Sequence, residues 1–308
     1  MLIKIKKSER IFSILLRYEA NKRHTKKYLN VCLFSLSMNA VFATKNSKHL
    51  ITPTGVLETT YFPDGEISVH VENPSEHAIL VSSTGPKPEH FLETAFCLDA
   101  LKRAGTNVTL VIPYCGFARQ DKYEHGKPLS IAVAAKLLSQ ADKTIIIDMH
   151  SERAREFWKY ENILPLDVFM PYLPRDAIVV APDHGAEKRA KSLAALLGTR
   201  WEHLHKERNG NDVRVSGKVS EIEGKTVILS DDILATGNTL DAAAKSLKEQ
   251  GATKVIACIT HCLFCRTTPL QYVDELLTTD IITTTTPLGN VKILKMKEWF
   301  ENLLMKKN

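Results

Sequence analysis

The chain has 308 residues, a length that allows two domains of ordinary size. Hydrophobic residues make up 44% and charged residues 25% of the sequence, which is typical of a globular protein and excludes a disordered or fibrous one. No apolar run reaches the roughly 18–20 residues that a membrane-spanning helix needs. The net charge of +6 leaves nucleic-acid binding open until that charge is located.

The excess positive charge lies at the amino terminus. Residues 1–37 contain nine Lys or Arg and two Glu, whereas the other 271 residues contain 32 basic and 33 acidic side chains. The body of the protein is therefore not basic, and we expect no nucleic-acid partner. Residues 1–37 lack the clean apolar stretch of a secretory signal. An amphipathic organelle-targeting segment is an alternative, but we favour a basic extension that precedes a native start at Met38.

Predicted strands and helices alternate along the chain after Met38. In chain order they are strand 78–83, helix 90–105, strand 108–113, helix 131–141, strands 143–148 and 177–182, helix 187–198, strand 225–230, helix 239–251 and strand 254–260. This alternation predicts an α/β fold with parallel sheets. The Pro-containing stretch 162–177 separates two such halves. Polar residues cluster where the strands end, which is where ligands bind in folds of this kind.

The six cysteines are scattered along the chain: Cys32, Cys97, Cys115, Cys258, Cys262 and Cys265. Most lie in or beside apolar runs, which suits reduced and buried thiols in a cytoplasmic protein. Cys262 and Cys265 form a CxxC motif beside His261. A structural zinc site would need a second ligand pair at similar spacing, and the sequence has none. We therefore favour packing over a zinc or redox role.

The stretch Ile228–Leu240, ILSDDILATGNTL, carries the most informative chemistry in the chain. Its TGNT turn lies between a predicted strand and a predicted helix, where Gly237, unpaired helix N–H groups and threonine hydroxyls can bind a phosphate. Asp231 and Asp232 end the strand, and two buried carboxylates are costly unless sugar hydroxyls or a metal ion satisfy them. A pentose phosphate with Mg²⁺ accounts for both halves of the stretch, whereas a plain N-capped turn does not explain the acidic pair.

This motif resembles the phosphoribosyl-pyrophosphate (PRPP) loop of type I phosphoribosyltransferases and PRPP synthases. Two further segments favour the PRPP synthase family. VIPYCGFARQDK (111–122) is similar to its Pro-Tyr and Gly-Tyr/Phe-Ala-Arg-Gln-Asp pattern, and YFPDGEISVHV (61–71) is similar to its Phe-x-Asp/Asn-x-Glu segment around ATP. A guanidinium fork suits phosphate, and a glutamine can read an adenine edge. The resemblance implies that ATP binds to Phe62, Asp64, Glu66, Arg119, Gln120 and Asp121.

Three more segments resemble the same family, in the family's order. IIIDMHSERAREFW (145–158) places His150 where the family has a ligand of Mg²⁺–ATP. VVAPDHGAEKRAKSLA (179–194) resembles Ser-Pro-Asp-x-Gly-x-x-x-Arg-Ala, with Asp183 as the second metal ligand. The implied turn for the transferred diphosphate consists of Asp183, His184, Gly185 and Ala186. HLHKERNGNDV (203–213) resembles a mobile Lys-x-Arg catalytic arm, which implies catalytic roles for Lys206 and Arg208.

The PRPP loop itself shows both agreement with the family and departures from it. The resemblance implies that ribose 5-phosphate binds to Asp231, Asp232, Ala235, Thr236, Gly237, Asn238 and Thr239. Ala235 stands where many members have Asp, and Asn238 replaces a usual Gly or Ala. The segment after ARQD is short and poor in arginine. These departures place the chain nearer the compact archaeal-type branch and leave control by ADP or phosphate open.

The resemblance implies an α/β fold with two type I phosphoribosyltransferase-like domains, each a mostly parallel sheet flanked by helices. We expect these at 38–165 and 166–291, with a C-terminal helix at 292–308 that returns to the first domain. The implied reaction transfers the β,γ-diphosphate of ATP to the 1-hydroxyl of ribose 5-phosphate, with Mg²⁺ as cofactor.

The family further implies a homo-oligomer, dimer or hexamer, with ATP sites shared between subunits. We expect no membrane partner. A type I phosphoribosyltransferase and a non-catalytic regulatory homologue are the alternatives.

Overall fold

The computed structural model describes residues 39–209, 212–265, 269–283 and 289–307; the side chains of 206–209 and 212–214 are not described. The predicted basic extension, residues 1–37, lies outside these ranges. The described residues from Ala40 onward form one compact unit. Within the described ranges, no helix combines the length and apolarity that crossing a membrane requires.

The first half of the chain builds a five-stranded sheet in the order β1-β4-β5-β6-β7. Its strands are β1 (Asn39–Ala43), β4 (His77–Val81), β5 (Asn107–Ile112), β6 (Lys143–Ile147) and β7 (Glu161–Ile163). The pairs β4–β5, β5–β6 and β6–β7 are parallel. The central strands are continuous runs of buried aliphatic residues, as expected for a sheet that is covered on both faces.

A hairpin and two helices complete this half. The antiparallel hairpin consists of β2 (Leu57–Tyr61) and β3 (Ile67–Val71), and the helices are α1 (Pro88–Arg103) and α2 (Ser130–Leu138). Helix α1 begins with Pro88, whose fixed φ suits the first helical turn. Its fully buried Leu98 and Leu101 join the core with Leu110 of β5.

The second half builds a parallel six-stranded sheet in the order β15-β14-β13-β12-β8-β9. Its strands are β8 (Ile178–Ala181), β9 (Trp201–His203), β12 (Thr226–Leu234), β13 (Lys254–Cys262), β14 (Glu275–Thr279) and β15 (Val291–Leu294). Its helices are α3 (Glu187–Leu197) and α4 (Asn238–Glu249). The predicted fold class, α/β with mostly parallel sheets flanked by helices, is confirmed.

The packing around β12 explains why residues 227–229 of this strand are all apolar. Val227 and Leu229 belong to the core cluster of α4, whereas Ile228 belongs to the cluster that contains Leu193 of α3. Successive side chains of a strand point to opposite faces, so a sheet covered on both faces requires apolar residues at every position. Burial of each such side chain contributes about 1.5–3 kcal/mol, which holds the strand that leads to the acidic pair.

Two predicted boundaries are wrong. The strand predicted at 225–230 continues to Leu234, because β13 stays paired alongside it up to the Leu234–Cys262 register. The helix predicted at 292–308 begins at Lys297, because residues 291–294 pair with β14 as an edge strand. This last helix, α5 (Lys297–Lys307), contacts the first half of the chain: Thr52 Oγ1 donates to Glu301 at 2.8 Å.

The segment predicted as a mobile arm forms an antiparallel hairpin of β10 (His205–Asn209) and β11 (Asp212–Ser216). Position 206 pairs with Val215, and position 208 pairs with position 213. The main chain of the predicted arm is therefore paired over 205–209 and 212–216, and its mobility stays a prediction. Strand-forming valines alternate on β11, and they provided a signal for pairing that the charged residues of β10 obscured.

Candidate active site

One cleft of about 1640 Å³ collects the segments that follow the strands of both sheets. Residues from 119–128 follow β5, and residues 149–153 follow β6. Residues from 183–189 follow β8, and 231–240 complete and follow β12. All four therefore leave the carboxyl ends of parallel strands, where α/β folds bind their ligands.

The acidic pair lies on β12 at the floor of the cleft. Asp232 is nearly buried, with 6% of its side chain exposed, and its Oδ2 accepts a hydrogen bond from Nδ1 of His150 at 2.6 Å. Asp231 is 20% exposed, and its Oδ1 lies 3.9 Å from Nη1 of Arg189. The main-chain N–H of Asp232 donates to Oδ1 of Asp231 at 2.9 Å. The pair thus faces one histidine and one arginine.

The two carboxyl groups have opposite proton affinities. Burial and the charge of Asp232 raise the pKa of Asp231 well above its ordinary value, and Asp183 adds to this effect. Burial would also raise the pKa of Asp232, but the His150 hydrogen bond and the charge of Arg189 outweigh it and lower that pKa. Burial opposes charging of His150, yet Asp232 prevails and raises the pKa of the imidazole. The charged form of Asp232 is therefore favoured, whereas the charged form of Asp231 is unfavourable.

The turn predicted to bind phosphate connects β12 to α4. Gly237 adopts φ +79° immediately before α4, and residues 235–240 line the cleft at the start of that helix, whose first N–H groups have no partner within the helix. Two main-chain hydrogen bonds brace the turn from the next strand: Leu263 N–H donates to Leu234 O at 2.8 Å, and Cys265 N–H donates to Ala235 O at 3.1 Å. The position of the turn is therefore set by main-chain pairing.

The diphosphate segment follows β8, the strand that pairs with β12. Asp183, His184 and Gly185 line the cleft just before α3, and His184 Nδ1 lies 2.8 Å from Oε1 of Glu187. Ala186 is fully buried and packs beneath the turn. A helix N-terminus preceded by a short turn suits an anion.

The two predicted ATP segments are placed differently. Arg119, Gln120 and Asp121 line the cleft, where Gln120 Oε1 accepts from Ser130 at 2.5 Å and Asp121 Oδ2 accepts from Ser151 at 2.6 Å. The other three predicted residues are at the tip of the β2–β3 hairpin and are not among the described residues that line the cleft: Phe62, Asp64 and Glu66.

Lys206 and Arg208 lie on β10, and their side chains are outside the described set. The preceding residue, His205, lines the cleft, so the hairpin starts at the cleft edge. Sequence reasoning missed Asp148 and assigned no role to Arg189, which lines the cleft while only 7% exposed. The signal was available in the Arg-Ala of the quoted 179–194 motif.

The CxxC motif does not belong to the cleft lining. Cys262 is buried on β13, where burial raises the pKa of its thiol to about 12, and Cys265 is exposed. Among the described residues, no group of three or more His, Cys, Asp or Glu side chains is arranged to hold a metal ion by itself.

Comparison with known families first places the chain in the phosphoribosyltransferase class. A family profile described as the phosphoribosyl transferase domain matches residues 170–285, which contain the acidic pair and the phosphate turn. A second profile, described as the N-terminal domain of ribose phosphate pyrophosphokinase, matches residues 31–141.

Individual relatives identify the family. A ribose-phosphate pyrophosphokinase of Campylobacter jejuni is 33% identical over 88% of this chain and 94% of its own length. One of Pyrococcus furiosus is 34% identical over 79% of this chain and 91% of its own. The crystal structure of phosphoribosylpyrophosphate synthetase from Mycobacterium smegmatis superposes with a TM-score of 0.73 at 25% identity, covering 88% of this chain and 99% of that one. The chain belongs to the ribose-phosphate pyrophosphokinase family. The bacterial and the archaeal relative have nearly the same sequence identity to this chain, 33% and 34%. The placement nearer the archaeal-type branch therefore stays a prediction.

Proposed function

We propose that this protein transfers the β,γ-diphosphate of ATP to the 1-hydroxyl of ribose 5-phosphate, giving PRPP and AMP. The observation that carries the proposal is one cleft that is lined by the candidate pentose-phosphate turn, by the candidate diphosphate turn and by the Arg119–Asp121 segment. Membership of the family supports the reaction, and the residues that line the cleft support this assignment of its parts.

The substrates are proposed to lie across the cleft as follows. The turn from Ala235 to Thr239 binds the 5-phosphate through its N–H groups and hydroxyls, and Asp231 and Asp232 accept from the ribose hydroxyls. The turn Asp183–Ala186 binds the transferred diphosphate, and Arg119 and Gln120 bind ATP.

Mg²⁺ is the proposed cofactor, and the donor set fits it. His150 directs Nδ1 to a carboxylate of Asp232, which leaves Nε2 for an ion, as in many metal-binding histidines. Asp183 lies near enough to Asp231 to raise its pKa, and a cation offsets such repulsion. Mg²⁺ commonly uses one or two side chains plus phosphate oxygens and water. His150 and Asp183 would hold one ion and the acidic pair another, and Mg²⁺ bound there would neutralise charge on the ATP phosphates.

The chain itself accelerates the reaction by positioning and by charge. The two walls of the cleft hold the acceptor hydroxyl and the β-phosphorus in line, which removes most of the entropic cost of their meeting. Lys206 and Arg208 are proposed to stabilise the charge that builds on the diphosphate. In support of this proposal, the hairpin that carries them starts at His205, which lines the cleft.

AMP release from ATP and ribose 5-phosphate, followed with Mg²⁺ and again after chelation, tests the proposal. We expect AMP and PRPP in equal amounts, loss of the reaction with EDTA and recovery with added Mg²⁺. A phosphoribosyltransferase would instead consume PRPP with a free base and release diphosphate. A non-catalytic homologue would release no AMP under any of these conditions, and either result contradicts the assignment.

Gly237→Ala is expected to weaken both stability and ribose 5-phosphate binding. The φ of +79° costs an L side chain about 1–2 kcal/mol of unfolding free energy, and relief of this strain would move the phosphate turn. Denaturant unfolding and the KM for ribose 5-phosphate measure the two effects. Gly224→Ala is the matched control, because Gly224 has φ +73° with no atom within 4 Å of the added Cβ and lies outside the cleft lining. An equal rise in KM in both variants would show that the turn has no special role.

We propose that the ATP site is completed by the β2–β3 hairpin of a second subunit. This placement gives a use to Phe62, which is 47% exposed, and to Asp64 and Glu66 beside it. Mixing an inactive Phe62→Ala variant with an inactive Lys206→Ala variant is therefore expected to restore activity, to about a quarter of wild type, because mixed assemblies contain some sites with neither change. Activity that stays at the level of the separate variants would contradict shared sites.

A further inference from the structure

The turn that carries His150 begins at a residue in a strained conformation. Asp148 follows β6 directly with φ +50°, a left-handed conformation that is unfavourable for a non-glycine residue. Its side chain is completely buried, and its N–H donates to the carbonyl oxygen of Ile163 at 2.9 Å. Strain of this kind persists only where the surrounding contacts over-determine it.

Those contacts come from the second sheet. The guanidinium of Arg189, on α3, makes two hydrogen bonds to the carboxylate of Asp148: Nε donates to Oδ2 at 3.0 Å and Nη2 donates to Oδ1. The hydroxyl of Thr260, on β13, donates to the same carboxylate. Nε2 of His261 lies 3.1 Å from the carbonyl oxygen of Ile147. The start of the turn is therefore held at three points by residues that belong to the other half of the fold.

Arg189 connects this turn to the other walls of the cleft. Its Nη1 lies 3.9 Å from Oδ1 of Asp231, and its helix α3 follows the diphosphate turn. In the turn that begins at Asp148, Nδ1 of His150 lies 2.6 Å from Oδ2 of Asp232. One buried guanidinium thus touches the support of His150 on one side and the acidic pair on the other.

We propose that Asp148 and Arg189 are a positioning pair for diphosphate transfer, which holds His150 and the acidic pair in register before the substrates bind. This inference rests on the proposed function. Arg189 forms part of the cleft wall, but its side chain is only 7% exposed, so it acts through the residues that it holds. The pair sets where the reacting groups lie and contributes little to substrate affinity.

A purely structural role for the pair predicts that a neutral replacement that folds also keeps its kcat. A buried ion pair adds little net stability, and a well-packed neutral replacement is often tolerated. Asp148→Asn with Arg189→Met is such a replacement, since Asn accepts the left-handed conformation and Met fills most of the volume of the arginine stem. If the pair positions the site, the neutral double variant folds but transfers diphosphate slowly.

The test measures kcat and both KM values by AMP release for the two single variants and the double variant, with thermal unfolding in parallel. Each variant is expected to lower kcat about 10–100-fold, with both KM values within about threefold of wild type. The double variant is expected to be no slower than the slower single variant, because the two residues act as a unit. Arg200→Met is the matched control: Arg200 is exposed, pairs with Glu202 at 2.7 Å, and is expected to keep kcat and KM.

Several results would overturn the proposal. A folded variant with wild-type kcat would do so, as would a raised KM with kcat unchanged, which would make Arg189 a substrate-binding residue. Losses that multiply in the double variant would show independent roles.

Thr260→Val keeps the test open if Arg189 variants do not fold: it removes one donor to Asp148, and kcat is expected to fall about 3–10-fold. Unchanged kcat there also overturns the proposal. Wild-type AMP release in the same assay separates these failures from failure of the proposed reaction.

Discussion

Lys206→Ala is expected to lower kcat about 10²–10³-fold with little change in either KM. A cation that meets only the charge developing on the transferred diphosphate stabilises the transition state and not the bound substrates, and loss of one such donor costs about 3–4 kcal/mol. The main chain of β10 presents position 206 one residue beyond the cleft-lining His205. AMP release under saturating substrates measures the effect.

Lys218→Ala is the matched control for this prediction. Lys218 is exposed just after β11 and is not among the described residues that line the cleft. Its removal changes the net charge equally, so kcat is expected to stay within about twofold if long-range charge is unimportant at physiological salt. A similar loss in both variants would assign the effect to general electrostatics, and an unchanged rate in Lys206→Ala would remove the catalytic assignment.

Asp231→Asn is expected to stabilise the ligand-free protein while it lowers kcat/KM for ribose 5-phosphate about 10–100-fold. Burial and the neighbouring carboxylate of Asp232 make the charged form of Asp231 unfavourable, so a neutral amide relieves the fold by about 0.5–2 kcal/mol. The same change removes a charged acceptor from the ribose hydroxyls, which accounts for the kinetic loss. Denaturant unfolding and initial rates measure the two effects.

The stabilisation is expected to depend on pH with a definite sign. The pKa of Asp231 is raised in the folded protein above its ordinary value of 3.8, so folding is penalised once pH rises through that value and most strongly above the folded pKa. The stability gap between Asp231→Asn and wild type should therefore widen as pH rises and close in acid. Asp99→Asn, in an exposed pair with Arg103, is the control and should change stability by less than about 0.5 kcal/mol. A gap that widens in acid would contradict the direction of the shift.

The arrangement of the sheets could be predicted because their strands are buried on both faces. The stretches 145–147 and 177–181 are apolar at every position, which marks central parallel strands without knowledge of their partners. The edge strands β9 and β15 and the β2–β3 hairpin lack this signal, since all of their side chains except Leu294 are half-buried or exposed. Edge elements depend on the neighbour that they pair with, and a single sequence does not name that neighbour.

The candidate site could be predicted only in part, for a related reason. Asp231, Asp232 and the turn up to Thr239 form one continuous segment, so local chemistry was enough to single them out. Arg189 and Asp148 are 41 positions apart and meet only because α3 lies beside the carboxyl end of β6, which no local spacing reveals. The roles of the individual site residues stay predictions until variants are measured.

The brace behind the phosphate turn has a consequence for how this site changes over evolution. Main-chain hydrogen bonds from positions 263 and 265 to 234 and 235 carry no side-chain identity. The turn can therefore exchange the residue at 235 or 238 without losing its anchor, and departures such as Ala235 and Asn238 are cheap to accept. Only proline at 263 or 265 is barred, because it lacks the N–H that the brace requires. The side chains of the loop, and with them the substrate preference, can therefore change while the fold stays the same.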